Sequence, residues 1–543
     1  MSDQMKFQSQ NDPSSQPLFG EIRKTSGEKK EQTLDDYVHL SRYCFRVLVF
    51  SEFVLLSVMG NMVYMVYAGA EPRKVQCLDD NLAIFDEDVC NGNFSQNYDL
   101  LQANCSFYFE SEFESVNINF GYFCEKTDYV KLSISFQMAG VLFGALLFGH
   151  MSDKHGRKKI LMYCYVLCAG FQVLASFART LMAFTMLRML VGFFNGGQMT
   201  IFTVYKIEHI PKRHRLWISA LISFAPNFII MNGLAYISKD WVTFQRVLVL
   251  VSLPAFFISF FLNESPRWLL GRGRIGEAEK VLLEIQRIDG KTQHKEGLTR
   301  LLQIEFQKAE ARERKAKNYS IRHLFYTANM AKATITLALG MVITSMINYG
   351  LMFNLEKLAG SIYWNSSLLG LLRWILNSTL GFLDYRFQKC GRKPFHFIAQ
   401  FGSFLCLTVV AVGHLTGKSD EWSQFIRIAT IVATAVCSQV YLSKGITSME
   451  YFPSVVRNMG ISFNSTWSRF GSILAPLMFR MHQSKALPFI FMAIISLIDA
   501  AGFQLNLPET KGKPMQDTLP EKANKRNEIL VQKIENANEL NVE

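Results

Sequence analysis

The sequence predicts an all-α membrane protein with twelve transmembrane helices in two six-helix halves. Three observations predict it. Apolar runs recur along the chain, several of them longer than the ~18 residues that a spanning helix requires. Motifs at the ends of runs in the first half recur at the ends of the matching runs in the second half. The composition agrees: 49% of the 543 residues are hydrophobic and 45 are phenylalanine, an aromatic load uncommon in a soluble domain.

Residues 1–43 are polar and mixed in charge, without the apolar stretch of a cleavable signal, and are expected as a cytoplasmic tail. The first span, near 44–68, then acts as its own uncleaved signal and carries Glu52 within it. Residues 69–131 are too long for an ordinary connection inside a helical bundle. They are rich in acids, including Asp79, Asp80, Asp86, Glu87, Asp88, Glu110, Glu112 and Glu114. They also hold Cys77, Cys90, Cys105 and Cys124, with glycosylation sequons at Asn93 and Asn104. These features agree if the segment is extracellular, where disulfides persist. Three pairings of the four cysteines are open. Cys44, Cys164, Cys168, Cys390, Cys406 and Cys437 lie in or beside apolar runs and are expected as free thiols.

Further spans near 132–151, 160–178, 181–205, 216–237 and 242–262 complete a first half over 44–262. A charged cytoplasmic segment, 263–330, follows. Within it Ala278, Val281, Leu282, Ile285 and Ile288 have the spacing of an amphipathic helix that Gly290 ends, and 296–317 reads as a second, polar helix. The second half, 331–507, has spans near 332–353, 366–387, 395–416, 424–447, 458–481 and 485–507, before a polar cytoplasmic tail over 508–543. The net charge of +12 is concentrated in connectors such as 206–215 and 267–322, on the side opposite the acidic segment. That asymmetry is an orientation signal under the positive-inside rule, and it excludes a nucleic-acid patch.

The stretch Gly149-His-Met-Ser-Asp153-Lys-His-Gly156-Arg157-Lys-Lys159 joins two spans in a hairpin, with Gly149 and Gly156 permitting positive φ. Gly156-Arg157-Lys158 after span 2 matches Gly391-Arg392-Lys393 after span 8. Glu208-x-x-Pro211-x-x-x-Arg215 after span 4 matches Glu450-x-x-Pro453-x-x-x-Arg457 after span 10. Glu264-Ser-Pro-Arg267 after span 6 matches Pro508-Glu509-Thr510 after span 12. Two parallel six-helix repeats related by an axis along the membrane normal enclose a site at mid-membrane.

The Gly149–Lys159 loop and these repeats resemble the major facilitator superfamily. Phe136-Gln-Met-Ala-Gly-Val-Leu, Arg188-Met-Leu-Val-Gly192, Glu264-Ser-Pro-Arg-Trp268, Asn348-Tyr-Gly-Leu351 and Glu450-Tyr-Phe-Pro resemble its organic-ion solute carriers, which move cations, anions and carnitine-like zwitterions. The resemblance covers roughly 43–510 and implies a plasma-membrane carrier of small organic ions, embedded in the bilayer, with no cofactor and no enzymatic activity. Its eighth helix usually carries an acid followed by a proline, where this chain has Arg373 and Ile375. Cation-preferring members tend to carry Asp where Arg469 stands, whereas anion and zwitterion carriers more often have Arg.

An ionisable group near the bilayer centre costs ~2.5 kcal/mol or more unless it faces a cavity or a partner. Arg469 and Arg373 are therefore candidates to clamp a substrate carboxylate or sulfate, set against a purely structural pairing with Glu52 or Asp499. Tyr349, Phe353, Tyr64, Tyr441 and Trp467 are candidate aromatic walls, although most rings in such a chain face lipid or pack. Asp153, Arg157, Arg188, Glu208, Arg215, Glu264 and Arg267, with Arg392, Glu450, Arg457 and Glu509, suit a cytoplasmic gate of ion pairs between the halves. They should not touch substrate. Gly417-Lys418-Ser419 lacks the earlier glycine of a phosphate loop, because Val412 stands there, so ATP is not implied. The sequence thus favours an organic anion or zwitterion carrier. A cation carrier using Glu52, and a transporter-like receptor, are the alternatives.

Overall fold

The computed structural model describes residues 40–72, 74–79, 82–88, 106–211, 214, 218, 222–290, 295–315, 319–386, 391–479, 484–513 and 519. Helices stand over all twelve expected spans. In the first half they are Arg42–Ala68, Thr127–His155, Arg157–Ala175, Leu181–His209, Phe224–Ser238 and Trp241–Ser259, spans 1 to 6. In the second half they are Ala328–Met352, Ile362–Arg386, Arg392–Leu415, Ser423–Tyr451, Arg457–Met478 and Leu487–Asn506, spans 7 to 12.

Eight of these helices are long and apolar enough to cross a membrane. Of the other four, span 5 is described over 15 residues. Spans 4, 8 and 11 each carry an arginine well inside the helix: Arg188, Arg373 and Arg469. Lipid rejects such groups, so these helices turn a polar side toward the protein.

Spans 2 and 4 pack backbone to backbone. A Cβ on Gly144 would stand 1.7 Å from the Phe193 carbonyl oxygen, and one on Gly192 would stand 2.2 Å from that of Gln137. Small residues permit this approach, which substitutes for a hydrophobic driving force that lipid does not supply. Between the halves, span 2 packs on span 11 and span 5 packs on span 8.

Successive spans alternate in direction, so the bundle has two ends. The sheet end carries the long segment after span 1. Strands β1 (Lys74–Asp79), β2 (Leu82–Asp88) and β3 (Ser106–Glu110) form an antiparallel sheet with β1 in the middle. Asn117 ties the segment to span 1 by donating to the Gly69 and Ala70 carbonyls at 2.8 and 3.0 Å. Cys77 lies in β1 and Cys124 is disulfide-bonded. Cys90, Cys105, Asn93 and Asn104 lie outside the described residues, as does Cys390. Cys44, Cys164, Cys168, Cys406 and Cys437 are free thiols.

The motif end carries the repeated charged sequences. Helix Ile275–Ile288 forms where its apolar spacing predicts, and helix Lys295–Lys315 follows it. Leu282, Ile285, Leu298 and Leu302 join Val47, Phe50 and Tyr205 in one apolar cluster, which docks these helices on the first half.

Candidate functional site

The hairpin at the motif end is tighter than the sequence suggests. Span 2 continues to His155, so Gly149 lies inside a helix and the turn is Gly156 alone, with φ +114°. The Glu264 carboxylate accepts hydrogen bonds from the Arg157 and Lys158 backbone N–H groups at 3.0 Å, capping span 3. A Cβ on Gly156 would meet that carboxylate at 2.6 Å. Arg157 pairs with Asp153 and lies 3.6 Å from Glu208.

The second half repeats this construction. Glu509 accepts from the Arg392 and Lys393 N–H groups at 2.7 and 3.1 Å, capping span 9. A Cβ on Gly391 would lie 2.0 Å from Glu509, so glycine is required there by close approach, since its φ is −76°. Arg392 pairs with Asp384 at 2.6 Å and Glu450 at 2.8 Å. Burial raises the Glu509 pKa, but the backbone donors outweigh it and hold the group below its ordinary value.

Among the described residues the ion pairs of Arg157 and Arg392 stay within their own halves. Arg188 is not part of the motif end at all: it lies 20 residues before Glu208, about 30 Å along the helix. Arg457 donates to the Phe452 carbonyl at 3.1 Å, and Arg267 is half-buried on helix Pro266–Gly271. Arg215 lies outside the described residues.

Near mid-bundle, the second half presents two arginines. Arg373 donates to Asn348 Oδ1 and, at 3.2 Å, to the Thr434 carbonyl. Its electrostatic neighbours include Tyr349 and Tyr441. Arg469, also near Tyr441, places Nη2 2.8 Å from Met199 Sδ of the first half. Among the described residues neither arginine has a carboxylate partner. Tyr349 stacks on the buried Phe353 with ring centroids 5.8 Å apart, and Tyr441 OH lies 3.4 Å from Ser468 Oγ. Spans 7, 8, 10 and 11 thus bring Tyr349, Phe353, Arg373, Tyr441 and Arg469 into one region.

Three other expected members lie elsewhere. Tyr64 is 0% exposed, with Arg188 4.2 Å above its ring and Phe244 stacked at 5.7 Å, so it has no face left for a solute. Trp467 is two residues from Arg469, about 200° around the helix, and packs with Phe463 and Phe470. Glu52 is near Lys206 and Asn227 of its own half. Asp499 is occupied by Lys444 at 2.5 Å, so it does not pair with either arginine.

Comparison with known proteins agrees with this architecture. The family model described as "Sugar (and other) transporter" matches residues 89–519. Solute carrier family 22 member 21 of Mus musculus is 30% identical over 416 residues, covering 73% of this chain and 69% of that protein. The chain belongs to the organic-ion solute carriers of the major facilitator superfamily. Organic anion transporter 3 of Oryctolagus cuniculus is 28% identical, covering 74% of this chain and 73% of the relative. Organic cation/carnitine transporter 2 of Homo sapiens is 28% identical, with 73% and 69% covered. The inward open xylose transporter XylE from E. coli has the same fold, with TM-score 0.60 at 14% identity, covering 87% of this chain and 98% of that one. The chain is a multi-pass membrane transporter and not an enzyme.

In this solute carrier, among the described residues, the ion pairs that join the two halves lie at the sheet end. Lys131 of span 2 is 2.8 Å from Glu71, at the end of span 1, and 3.7 Å from Glu356, between spans 7 and 8. Lys357 adds a 3.4 Å contact to Glu71. Glu112 accepts from Ser361 Oγ and the Ile362 N–H at 2.8 and 2.9 Å, capping span 8 from the first half. Deeper in the bundle, Ser135 donates to the Ile473 carbonyl at 2.9 Å and Asn232 to Ser367 at 3.1 Å. Burial, opposed by Lys131, pushes Glu356 up to about 7; the two lysines overcome burial at Glu71 and hold it low.

Proposed function

We propose that this chain carries a small organic anion or zwitterion across the plasma membrane by alternating access. The observation that carries the reading is the pair Arg373 and Arg469. Each lies within a span, and neither has a carboxylate partner among the described residues. At an effective dielectric near 20, a carboxylate 4 Å from one guanidinium gains roughly 4 kcal/mol. The planar fork also suits carboxylate or sulfate oxygens. Tyr349, stacked on Phe353, and Tyr441 offer flat apolar surface beside that charge. The named relatives include transporters of anions, cations and carnitine, so the choice of charge rests on these arginines.

We place the sheet end outside the cell and both termini in the cytoplasm, which the acidic, cysteine-bearing segment and the basic connectors support. The bonds that cross the halves at the sheet end then describe a carrier closed to the outside. Opening it requires Lys131 to release Glu356. The cation reading would use Glu52, but Lys206 of its own half already faces it.

Uptake of labelled carboxylates, aryl sulfates, zwitterions and quaternary ammoniums into proteoliposomes tests the reading. Anions or zwitterions should enter. Cation-only uptake would overturn the proposal, and a solute that binds but never crosses under any gradient would favour a receptor.

A further inference from the structure

A second buried charged cluster lies beside the arginine site, one helical turn away along span 7. Lys444 of span 10 donates to Asp499 of span 12 at 2.5 Å and to Thr344 of span 7 at 2.8 Å. His396 of span 9 brings Nε2 to 3.7 Å from the same Asp499 oxygen. All four side chains are buried: His396, Lys444 and Thr344 are 0% exposed and Asp499 is 4%. A Cβ on Gly340 would lie 2.4 Å from Asp499 and 2.6 Å from Lys444, so span 7 leaves room for the pair.

Two features exceed what a helix brace needs. The lysine–aspartate pair is already neutral and closed, yet a third titratable group stands against it. Among the described residues neither ring nitrogen of His396 has a hydrogen-bond partner within 3.5 Å, although the ring is buried and stacked on Phe503 at 3.7 Å. In the Nδ1–H tautomer Nε2 faces the Asp499 oxygen as a bare lone pair, and a proton added there turns that contact into an ion pair. The cluster also reaches the arginine site along one face of span 7. Thr344 accepts from Lys444, and Asn348, one helical turn on, accepts from Arg373. The charged or titratable groups facing His396 and Asp499 are Lys444 and, nearby on span 10, Cys437; span 7 contributes Thr344 and Gly340.

We infer that His396, Asp499 and Lys444 form a proton-binding site that couples entry of the organic anion to entry of one proton. This rests on the anion reading above. On loading, a proton from the outer medium adds to His396 Nε2, and the imidazolium shares Asp499 with Lys444. On the inner side the same N–H bond breaks and the proton returns to water as the anion leaves. A monovalent anion and one proton cross together without net charge, so a proton gradient alone can concentrate the anion.

The test uses the full chain in proteoliposomes with labelled phenyl sulfate, which stays ionised throughout and carries no proton of its own. With an acid-outside gradient of about one pH unit, steady-state accumulation in the wild type should rise about tenfold over equal pH, because one coupled proton transmits the whole gradient. An internal pH dye should report acidification that begins with phenyl sulfate addition. His396→Gln should lose the gradient-driven rise while exchanging labelled for unlabelled phenyl sulfate at equal pH within about twofold of wild type. Accumulation in the wild type that ignores the gradient, or a silent dye during uptake, overturns the inference and leaves the anion reading standing. So does a full gradient response in His396→Gln. No entry of phenyl sulfate under any condition overturns the anion reading instead. If His396→Gln does not fold, the wild-type accumulation and dye records still decide.

Discussion

Arg469 Nη2 of span 11 lies 2.8 Å from Met199 Sδ of span 4, so a guanidinium of one half meets a thioether of the other. A thioether is a weak acceptor. An oxyanion entering between the halves would replace that contact with a stronger one and would bind both halves at once.

The first prediction follows from that exchange. Losing a hydrogen bond to a charged group costs ~1.5–3 kcal/mol, so Arg469→Ala should weaken anion uptake by roughly 10- to 100-fold. Arg469→Lys should recover part of it, since the charge remains without the planar fork. Met199→Leu should stay within about twofold, because the thioether contact contributes little. Initial uptake rates at several concentrations measure all three.

Lys131 stands between Glu71 of the first half and Glu356 of the second. Lys131→Met removes the shared cation that ties Glu71 of one half to Glu356 of the other, so the sheet end should open. Spin labels at Lys126→Cys and Lys418→Cys, both exposed at that end, would report it. The separated population should increase more than tenfold, a shift of ~1.4 kcal/mol. An unchanged distance distribution would show that the cluster is not the latch.

The same cluster gives a pH dependence of known sign. Burial raises Glu356 to about 7 when the sheet end is closed. Opening hydrates it and returns it toward the ordinary ~4.3. The closed state therefore holds its proton over the interval between these values, and acid in that window favours closure. As pH rises through about 7, that advantage is lost and the label distances should lengthen. Glu356→Gln should flatten the response.

At the motif end, Asp153→Ala and Asp384→Ala each remove one partner of an arginine that the two halves place equivalently, Arg157 or Arg392, within a single half. Both should slow transport several-fold, about 1 kcal/mol in the barrier, while the ranking of solutes stays as in wild type. A changed ranking in competition assays would contradict the separation between gate and site.

The spans were legible in the sequence because lipid imposes length and hydropathy on each one separately. The repeated motifs were legible because both halves use a carboxylate to cap the helix that follows a glycine: Glu264 above Gly156, and Glu509 above Gly391. The sequence does not mark Asp384 as the partner of Arg392, since eight residues separate them where four separate Asp153 from Arg157. Lys444 and His396 are silent in the sequence for a different reason. Their partner Asp499 is on another helix, and no local spacing reports a contact made across the bundle. Nothing near Lys131 in the sequence announces its role, because its partner Glu356 is 225 residues away. Tyr64 and Trp467 show the converse limit. Helical periodicity places a ring on a face, but only the neighbouring helices decide whether that face is packed or lines a cavity.

The central claim is that Arg373 and Arg469 choose an anionic solute. The most direct measurement is the ratio of phenyl sulfate to tetraethylammonium uptake in wild type, Arg469→Ala and Arg469→Asp. The wild type should favour the sulfate, Arg469→Ala should lose most of that preference, and Arg469→Asp should exclude the sulfate. Uptake of tetraethylammonium alone in the wild type, undiminished in Arg469→Ala, would contradict the account.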